Sequence, residues 1–436
     1  MITPADQLLA RSDTALPGLD CLLDTDWVSH ALEAELGLDA ADLALRSTYI
    51  RYKRGTSCLV GFTGIHQHKR IDFYARLHCP DDQPKAAKPL ASRLTESEFG
   101  PGALLLPDPC LVFLFFPNDH LMKPLQRLVD HQRRHKVLRD LLPRHSPASA
   151  AVLTPLRYKP ERRFVGKVTT ADGSAYLLKV HARGYRLDGP ASVNHFHADG
   201  AVHLRRRLAV CPESGLALYP WIGGQPLTLG TADQLAAIGS QLARLHSLNP
   251  CSPPTAELGS RPAALSLDVQ VATALAALAA IAPAQLIPAG LLAQHILRCW
   301  HHQPSQARDL CCLIHGDFSA DQVIVDAERF WFIDFDRAAH GHPVHDLGSF
   351  VARLHHDQIT SSGSGSCPLA ASQALIDGYL RTCPVELEGL IRPSVALHLL
   401  KLAPEAFRLR DPHWPIRLEQ VLSRAAQILE GVDDAV

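Results

Sequence analysis

The residues able to do chemistry gather in one stretch, Leu313–Phe350. An apolar run, Cys311–Ile314, delivers His315-Gly316-Asp317, and Gln322 follows five residues after Asp317. The β-branched run Val323-Ile324-Val325, the polar turn Asp326-Ala327-Glu328-Arg329 and the apolar run Phe330–Ile333 read as a hairpin ending on Asp334. A loop with one carboxylate and one amide is thus followed by a hairpin that returns a second carboxylate beside them. Phosphoryl transfer uses such a set. Its transition state is loose and highly charged, so a protein mainly positions groups and neutralises charge. Asp317 suits the acid that accepts or orients the proton of an attacking hydroxyl, with His315 in the same catalytic loop. Gln322 and Asp334 offer the oxygen ligands that Mg²⁺ prefers.

These residues resemble the aminoglycoside phosphotransferase and choline kinase-like family, relatives of protein kinases. The family's loop reads His-Gly-Asp, four residues, then Asn. A metal-binding Asp follows a strand, and a Gly-x-Pro-x-x-Asp-Leu stretch comes soon after. Here the counterparts are His315-Gly316-Asp317, Gln322, Asp334 and Gly341-His342-Pro343-Val344-His345-Asp346-Leu347. Gln322 stands for the usual Asn, as in the maltokinase-like branch, and keeps the amide oxygen. His342 stands where an Asp is common. The resemblance implies ATP or GTP and Mg²⁺ as cofactors and a small-molecule hydroxyl as acceptor: a sugar, an aminoglycoside or an amino-alcohol. It implies an α+β, protein kinase-like fold, with an antiparallel-sheet N-lobe and a mainly helical C-lobe.

The elements that would position this stretch begin far upstream. Val152–Tyr158, Phe164–Thr169 and Ala175–His181 read as strands, the last two joined by the turn Ala171–Ser174. Lys179 sits in the apolar run Tyr176–Val180, where a buried ammonium is costly unless it meets an anion. The family places its phosphate-binding lysine in this strand, which makes Lys179 the candidate. The following helix, read over about His195–Leu208, holds Asp199 as its one acid to pair with Lys179. The loop Lys159–Gly166, KPERRFVG, is not glycine-rich. Leu216–Trp221 reads as a strand; in the family this segment is the hinge that meets adenine, which assigns Tyr219 and Trp221 to the nucleotide. Thr231 and Gln234 form a capping box. The Ala-rich helices between residues 266 and 302 correspond to the family's acceptor side.

Length and composition bound the answer. The 436 residues allow two or three domains. The expected division is residues 1–145 (an extra α+β domain), 146–228 (N-lobe and hinge) and 229–436 (helical C-lobe). A net charge of −1 with dispersed Lys and Arg favours neither nucleic acid nor an anionic membrane. The apolar stretch Val271–Ala293 is broken by Pro283 and Pro288 and reads as two helices rather than a membrane span. Met1–Asp13 lacks the pattern of a signal peptide, and the 11 cysteines contain no CxxC pair, so reduced thiols and a cytoplasmic location are expected. Three of the 24 histidines, His340, His342 and His345, are spaced as metal ligands could be, but no Cys pair lies near. No P-loop motif occurs. The short path from Asp334 to Asp346 leaves little room for an activation loop, which disfavours a protein kinase. The alternative function is a kinase-like nucleotide or metabolite sensor or scaffold without turnover.

Residues 47–128 carry an echo of the N-lobe. Strands are expected at Thr48–Tyr52, Cys58–Phe62, Ile71–Leu77 and Leu111–Phe116, then one helix over Leu121–Leu142 with a solvated basic face at Arg133–Lys136. Arg51-Tyr52-Lys53 recurs as Arg157-Tyr158-Lys159, and Val60-Gly61 as Val165-Gly166. Arg76 and Lys179 each precede a His by two positions, and the apolar strand from Leu111 recurs from Leu216. A nearly constant offset of about 105 residues suggests a duplicated unit, degenerate in its first copy.

Overall fold

The computed structural model describes residues 2–82, 88, 90, 93–97, 100–185, 187, 202–228, 230–248, 264–361, 368–383 and 386–431. Two compact units result: residues 1–185, 208–219 and 406–415, and residues 186–207, 220–405 and 416–436.

The first unit holds two five-stranded sheets. One contains β1 (Arg46–Lys53), β2 (Ser57–His66), β3 (Lys69–His78), β4 (Ala103–Leu106) and β5 (Leu111–Phe115) in the order β1-β2-β3-β5-β4. The other contains β6 (Val152–Lys159), β7 (Arg163–Thr169), β8 (Ala175–His181), β10 (Ala209–Cys211) and β11 (Leu216–Pro220). Its order, β6-β7-β8-β11-β10, is that of the first sheet, strand for strand. β1 and β6 each carry a bulge against the next strand. Register fixes the correspondence further. Ser57 pairs with His78 and Leu59 with Arg76, while Arg163 pairs with His181 and Val165 with Lys179. Arg76 thus occupies the place of Lys179. The same register makes Leu59, not Val60, the counterpart of Val165, because a slip of one residue would reverse every side chain across the sheet.

One face of the second sheet buries Phe164, Val168, Leu178, Val180, Leu216 and Leu218 against Met122, Leu125, Leu128 and Leu138. The last three come from two short helices, Pro124–Val129 and Arg134–Leu138, where the sequence suggests one. The break is at Asp130, whose backbone is extended. Arg134 turns inward and donates to the carbonyls of Leu128 (2.6 Å), Val129 (2.9 Å) and Ala151 (3.0 Å), so it caps the first helix instead of facing solvent. Residue 145, where a domain boundary is expected, lies inside this unit. Near the N-terminus, Asp6 accepts from Arg410 (2.8 Å) and from the Trp414 indole (3.2 Å), which ties the segment 406–415 to the helix Pro4–Ser12.

The second unit is mainly helical. Its four-stranded sheet joins β9 (His203–Leu204), β12 (Gln225–Pro226), β14 (Val323–Asp326) and β15 (Arg329–Phe332). His203 and Leu204 pair in parallel with Trp331 and Phe332, so the helix expected over His195–Leu208 does not extend through them; residues 188–201, Asp199 included, lie outside the described residues. So do residues 362–367, which hold most of the run Ser361–Ser366, SSGSGS, whose composition suggests a loop. A two-stranded ladder pairs β13 (Cys312–Ile314) with β16 (Ala339–Gly341). The helix Ala232–Ser247 starts with the expected capping box. It packs on the helix Pro368–Leu380 at two glycines. A Cβ on Gly239 would lie 2.1 Å from the Leu375 carbonyl, and one on Gly378 would lie 2.0 Å from that of Ala236. The Ala-rich region forms two helices, Leu267–Ile281 and Leu286–His301. Among the described residues no helix is long and apolar enough to cross a membrane.

Candidate active site

The loop His315–Gln322, the candidate catalytic loop, is set by β13, which ends one residue before His315. Gly316 then adopts φ +81°, and a Cβ there would stand 2.3 Å from the Arg337 carbonyl. Only glycine permits both the left-handed turn and that approach. The turn hands Asp317 to the surface, where its side chain is half exposed.

Asp346 holds the loop from beneath. It opens the helix Val344–Thr360, is fully buried, and accepts the backbone N–H groups of His315 (2.6 Å) and Gly316 (2.9 Å). His246 adds a third contact at 3.1 Å, and its other ring nitrogen meets the Tyr379 hydroxyl at 2.8 Å. Burial pushes the Asp346 carboxyl up, but the hydrogen bond and charge of His246, with His315, outweigh it and leave it below its ordinary value.

His315 is wholly buried and works as a brace. Its Nε2 lies 2.7 Å from the Ile333 carbonyl. Ile333 also donates its N–H to the Gln322 carbonyl (3.0 Å). One residue is therefore pinned to both ends of the catalytic loop, and the next residue is Asp334. The β14–β15 hairpin turns at Ala327-Glu328 as the sequence suggests, with Asp326 paired to Arg329. Asp334 itself has φ +64° and ψ +51°, an uncommon conformation for a residue with a Cβ and one that costs energy unless its surroundings impose it. Gln322 donates its amide nitrogen to Asp321 (3.0 Å). Its amide oxygen and the Asp334 carboxylate are hard oxygen donors. Among the described residues no three His, Cys, Asp or Glu side chains gather as a metal site, His342 instead contacting the Ala307 carbonyl (2.7 Å) and His345 stacking on Trp300. Mg²⁺ needs no such cage, because it is bound through one or two carboxylates plus phosphates and water. Gln322 and Asp334 fit that demand.

The sequence reading missed two cations whose charges bear on Asp317, and the amide that holds one of them. Arg337 Nη1 stands 3.5 Å from Asp317 Oδ1. Lys401, on the helix Glu388–Leu402, donates to Gln270 Oε1 (3.0 Å), which belongs to the helix Leu267–Ile281. Burial and the Arg337 charge push the Lys401 ammonium down to about 8, with Asp317 opposing. The signal for Lys401 was present: a single lysine in the apolar run Leu397–Leu402.

In the first unit, Lys179 is 2% exposed and its Nζ lies 5.0 Å from the Tyr219 ring centroid. Cation and aromatic ring thus share a face with Leu177, Ala217 and Val165. Trp221 belongs to the second unit and is 37% exposed. Structure therefore gathers His315, Asp317, Gln322 and Asp334 in one unit, and Lys179 with Tyr219 in the other.

Several solved structures are similar to this chain. An amicoumacin kinase in complex with AMP-PNP, Ca²⁺ and Ami is 15% identical, with 71% of this chain and 96% of that one covered and a TM-score of 0.49. A choline kinase from Cryptosporidium parvum Iowa II is 10% identical, covering 70% and 96%, with a TM-score of 0.48. An ethanolamine kinase from Plasmodium vivax is 12% identical, covering 69% and 89%, with a TM-score of 0.49. No curated protein matches the sequence. A model of the phosphotransferase enzyme family matches residues 164–381, half of the chain, from β7 through the catalytic loop to the end of the helix Pro368–Leu380. The chain belongs to the phosphotransferase enzyme family.

Proposed function

We propose that this enzyme transfers the γ-phosphate of ATP or GTP to a hydroxyl of a small molecule, a sugar, an aminoglycoside or an amino-alcohol. The observation that carries the reading is the double hold on Ile333, which puts Asp334 beside Gln322 and the loop of Asp317. Asp317 takes the acceptor's proton as the hydroxyl oxygen bonds to phosphorus and the bond to the leaving nucleoside diphosphate breaks. Its half-exposed carboxylate suits a group that must meet a diffusing substrate. Gln322 and Asp334 hold Mg²⁺, which supplies charge neutralisation on the nucleotide phosphates when bound. Lys179 contributes a second positive charge to those phosphates. Tyr219 and Trp221 border the base, and Asp199 is the acid proposed for Lys179. His315 acts by fixing the loop.

Lys401 is read as bordering the acceptor, since its ammonium feels the Asp317 charge, with Gln270 holding it at 3.0 Å. Residues 1–145, 146–228 and 229–436 are read as extra domain, N-lobe with hinge, and C-lobe. Exposed Cys311 and buried Cys58 are free thiols, which favours the cytoplasm. A second reading, nucleotide sensing without turnover, is favoured by the glycine-poor hairpin between β6 and β7. The two separate in a screen of sugars, aminoglycosides and amino-alcohols with Mg-ATP. Acceptor-dependent ADP release supports transfer, and nucleotide-induced stabilisation with no product supports sensing.

A further inference from the structure

The connection between β6 and β7 is Pro160-Glu161-Arg162, and each of the three contacts the first sheet or its flank. Glu161 is 3% exposed and has φ +51°. Its carboxylate accepts from Arg76 Nη1 at 2.9 Å and 2.7 Å, from Arg51 Nη2, and from the Tyr74 hydroxyl at 3.4 Å. Its N–H donates to Asp119 (2.8 Å), which also accepts from the Tyr158 hydroxyl (2.8 Å) and from the N–H groups of Leu121 and Met122 (2.9 Å each). Pro160 lies over Gly61, where a Cβ would come within 3.1 Å of the proline ring. Arg162 donates to the Tyr49 hydroxyl (3.2 Å), and Lys159 sits 5.6 Å from the Tyr49 ring centroid.

Register gives these contacts a meaning. Arg76 holds the place in the first sheet that Lys179 holds in the second. The cation at that place in the first sheet meets the Glu161 carboxylate, an anion supplied by the second sheet's own hairpin. The remaining space on that face, about 210 Å³ lined by Tyr74, Arg76, Val112, Leu114 and His120 among others, is below the roughly 300–1,000 Å³ of ligand pockets. The match to the enzyme family begins at residue 164, just after this hairpin.

We propose that the first sheet is a receptor for the phosphate hairpin of the working sheet, and that Glu161 is a positioning residue for the nucleotide. The proposal rests on the nucleotide reading of Lys179 given above. A glycine-rich hairpin grips phosphate through free backbone N–H groups. Here the Glu161 N–H is committed to Asp119, so the hairpin contributes a fixed shape instead. The charge-assisted bonds from Arg51 and Arg76 offset the left-handed backbone of Glu161. The first sheet, its cation already engaged, does not bind nucleotide itself.

The test compares the full-length wild type with Glu161→Gln, Arg51→Met and Lys179→Ala. Arg51→Met removes half the clamp and keeps Arg76, so it guards against misfolding of Glu161→Gln. Readouts are Mg-ADP affinity by calorimetry, steady-state kinetics, and hydrogen exchange. In Glu161→Gln, exchange should accelerate at residues 159–164 alone, and the nucleotide Kd and KM should rise about tenfold while kcat stays within threefold. Arg51→Met should shift both by about threefold, and Arg51→Lys should restore them. Unchanged ADP affinity in Glu161→Gln and Arg51→Met, or faster exchange across the whole first unit, overturns the proposal. If Lys179→Ala leaves ADP affinity intact, the nucleotide reading itself has failed and the proposal with it. A normal Lys179→Ala defect beside unaffected Glu161→Gln and Arg51→Met sinks this inference alone.

Discussion

The carboxylate of Asp346 accepts the backbone N–H of His315 at 2.6 Å and of Gly316 at 2.9 Å. A buried acid thirty residues downstream thus fixes the loop that presents Asp317 without reaching the surface itself. Asp346→Asn keeps the shape but turns one acceptor into a donor facing an N–H. The expected cost is about 3 kcal/mol of stability, within the range for breaking a buried charged pair. Urea denaturation measures it, and a midpoint unchanged from wild type would remove Asp346 from this role.

Gly316→Ala tests the turn directly. The added Cβ would meet the Arg337 carbonyl at 2.3 Å in a backbone region that disfavours it. The loop must shift, at about 1–3 kcal/mol. We expect turnover to fall at least tenfold, with a lowered thermal midpoint. Wild-type kinetics in this variant would mean that the loop tolerates displacement.

Much of this site was legible in the sequence because its parts are local. The hairpin returning Asp334, the turn at Ala327-Glu328 and the capping box at Thr231 follow from runs of a few residues. Most strands of the first unit were legible for the same reason, as alternating or apolar runs, but the short strands Ala103–Leu106 and Ala209–Cys211 were not. What pairs across long distance was not. Nothing near Glu161 announces Arg51 or Arg76, which come from the other sheet. Arg134 reads as one charge in a basic helix face until the fold supplies three carbonyls for it. His246 looks like a helix end, and its partners Tyr379 and Asp346 lie more than a hundred positions away or at that limit.

Buried histidines set the response to acid. Burial pushes His345 down to about 3 and His355 down to about 4, and His398 well below its ordinary 6.5. Each stays neutral in the fold and takes up a proton on unfolding below pH 6.5. The unfolded chain then binds more protons, so stability is fully present above about pH 6.5 and is lost as pH falls towards the folded values. The slope is about 1.4 kcal/mol per pH unit for each such group. His345→Phe keeps a ring on Trp300 and should flatten the loss between pH 6 and 4. Thermal unfolding across that range checks it; an identical slope in the variant would mean that His345 does not contribute.

The most direct measurement is phosphoryl transfer in Asp317→Asn beside the wild type, followed by ³¹P NMR with Mg-ATP and the acceptor identified by screening. The account predicts a phosphomonoester and ADP in equal amounts from the wild type. It predicts turnover about 10²–10⁴ lower in Asp317→Asn, the usual worth of a positioned base, with nucleotide affinity retained. Wild-type turnover in Asp317→Asn, or nucleotide binding by the wild type with no phosphorylated product from any hydroxyl compound, would contradict it.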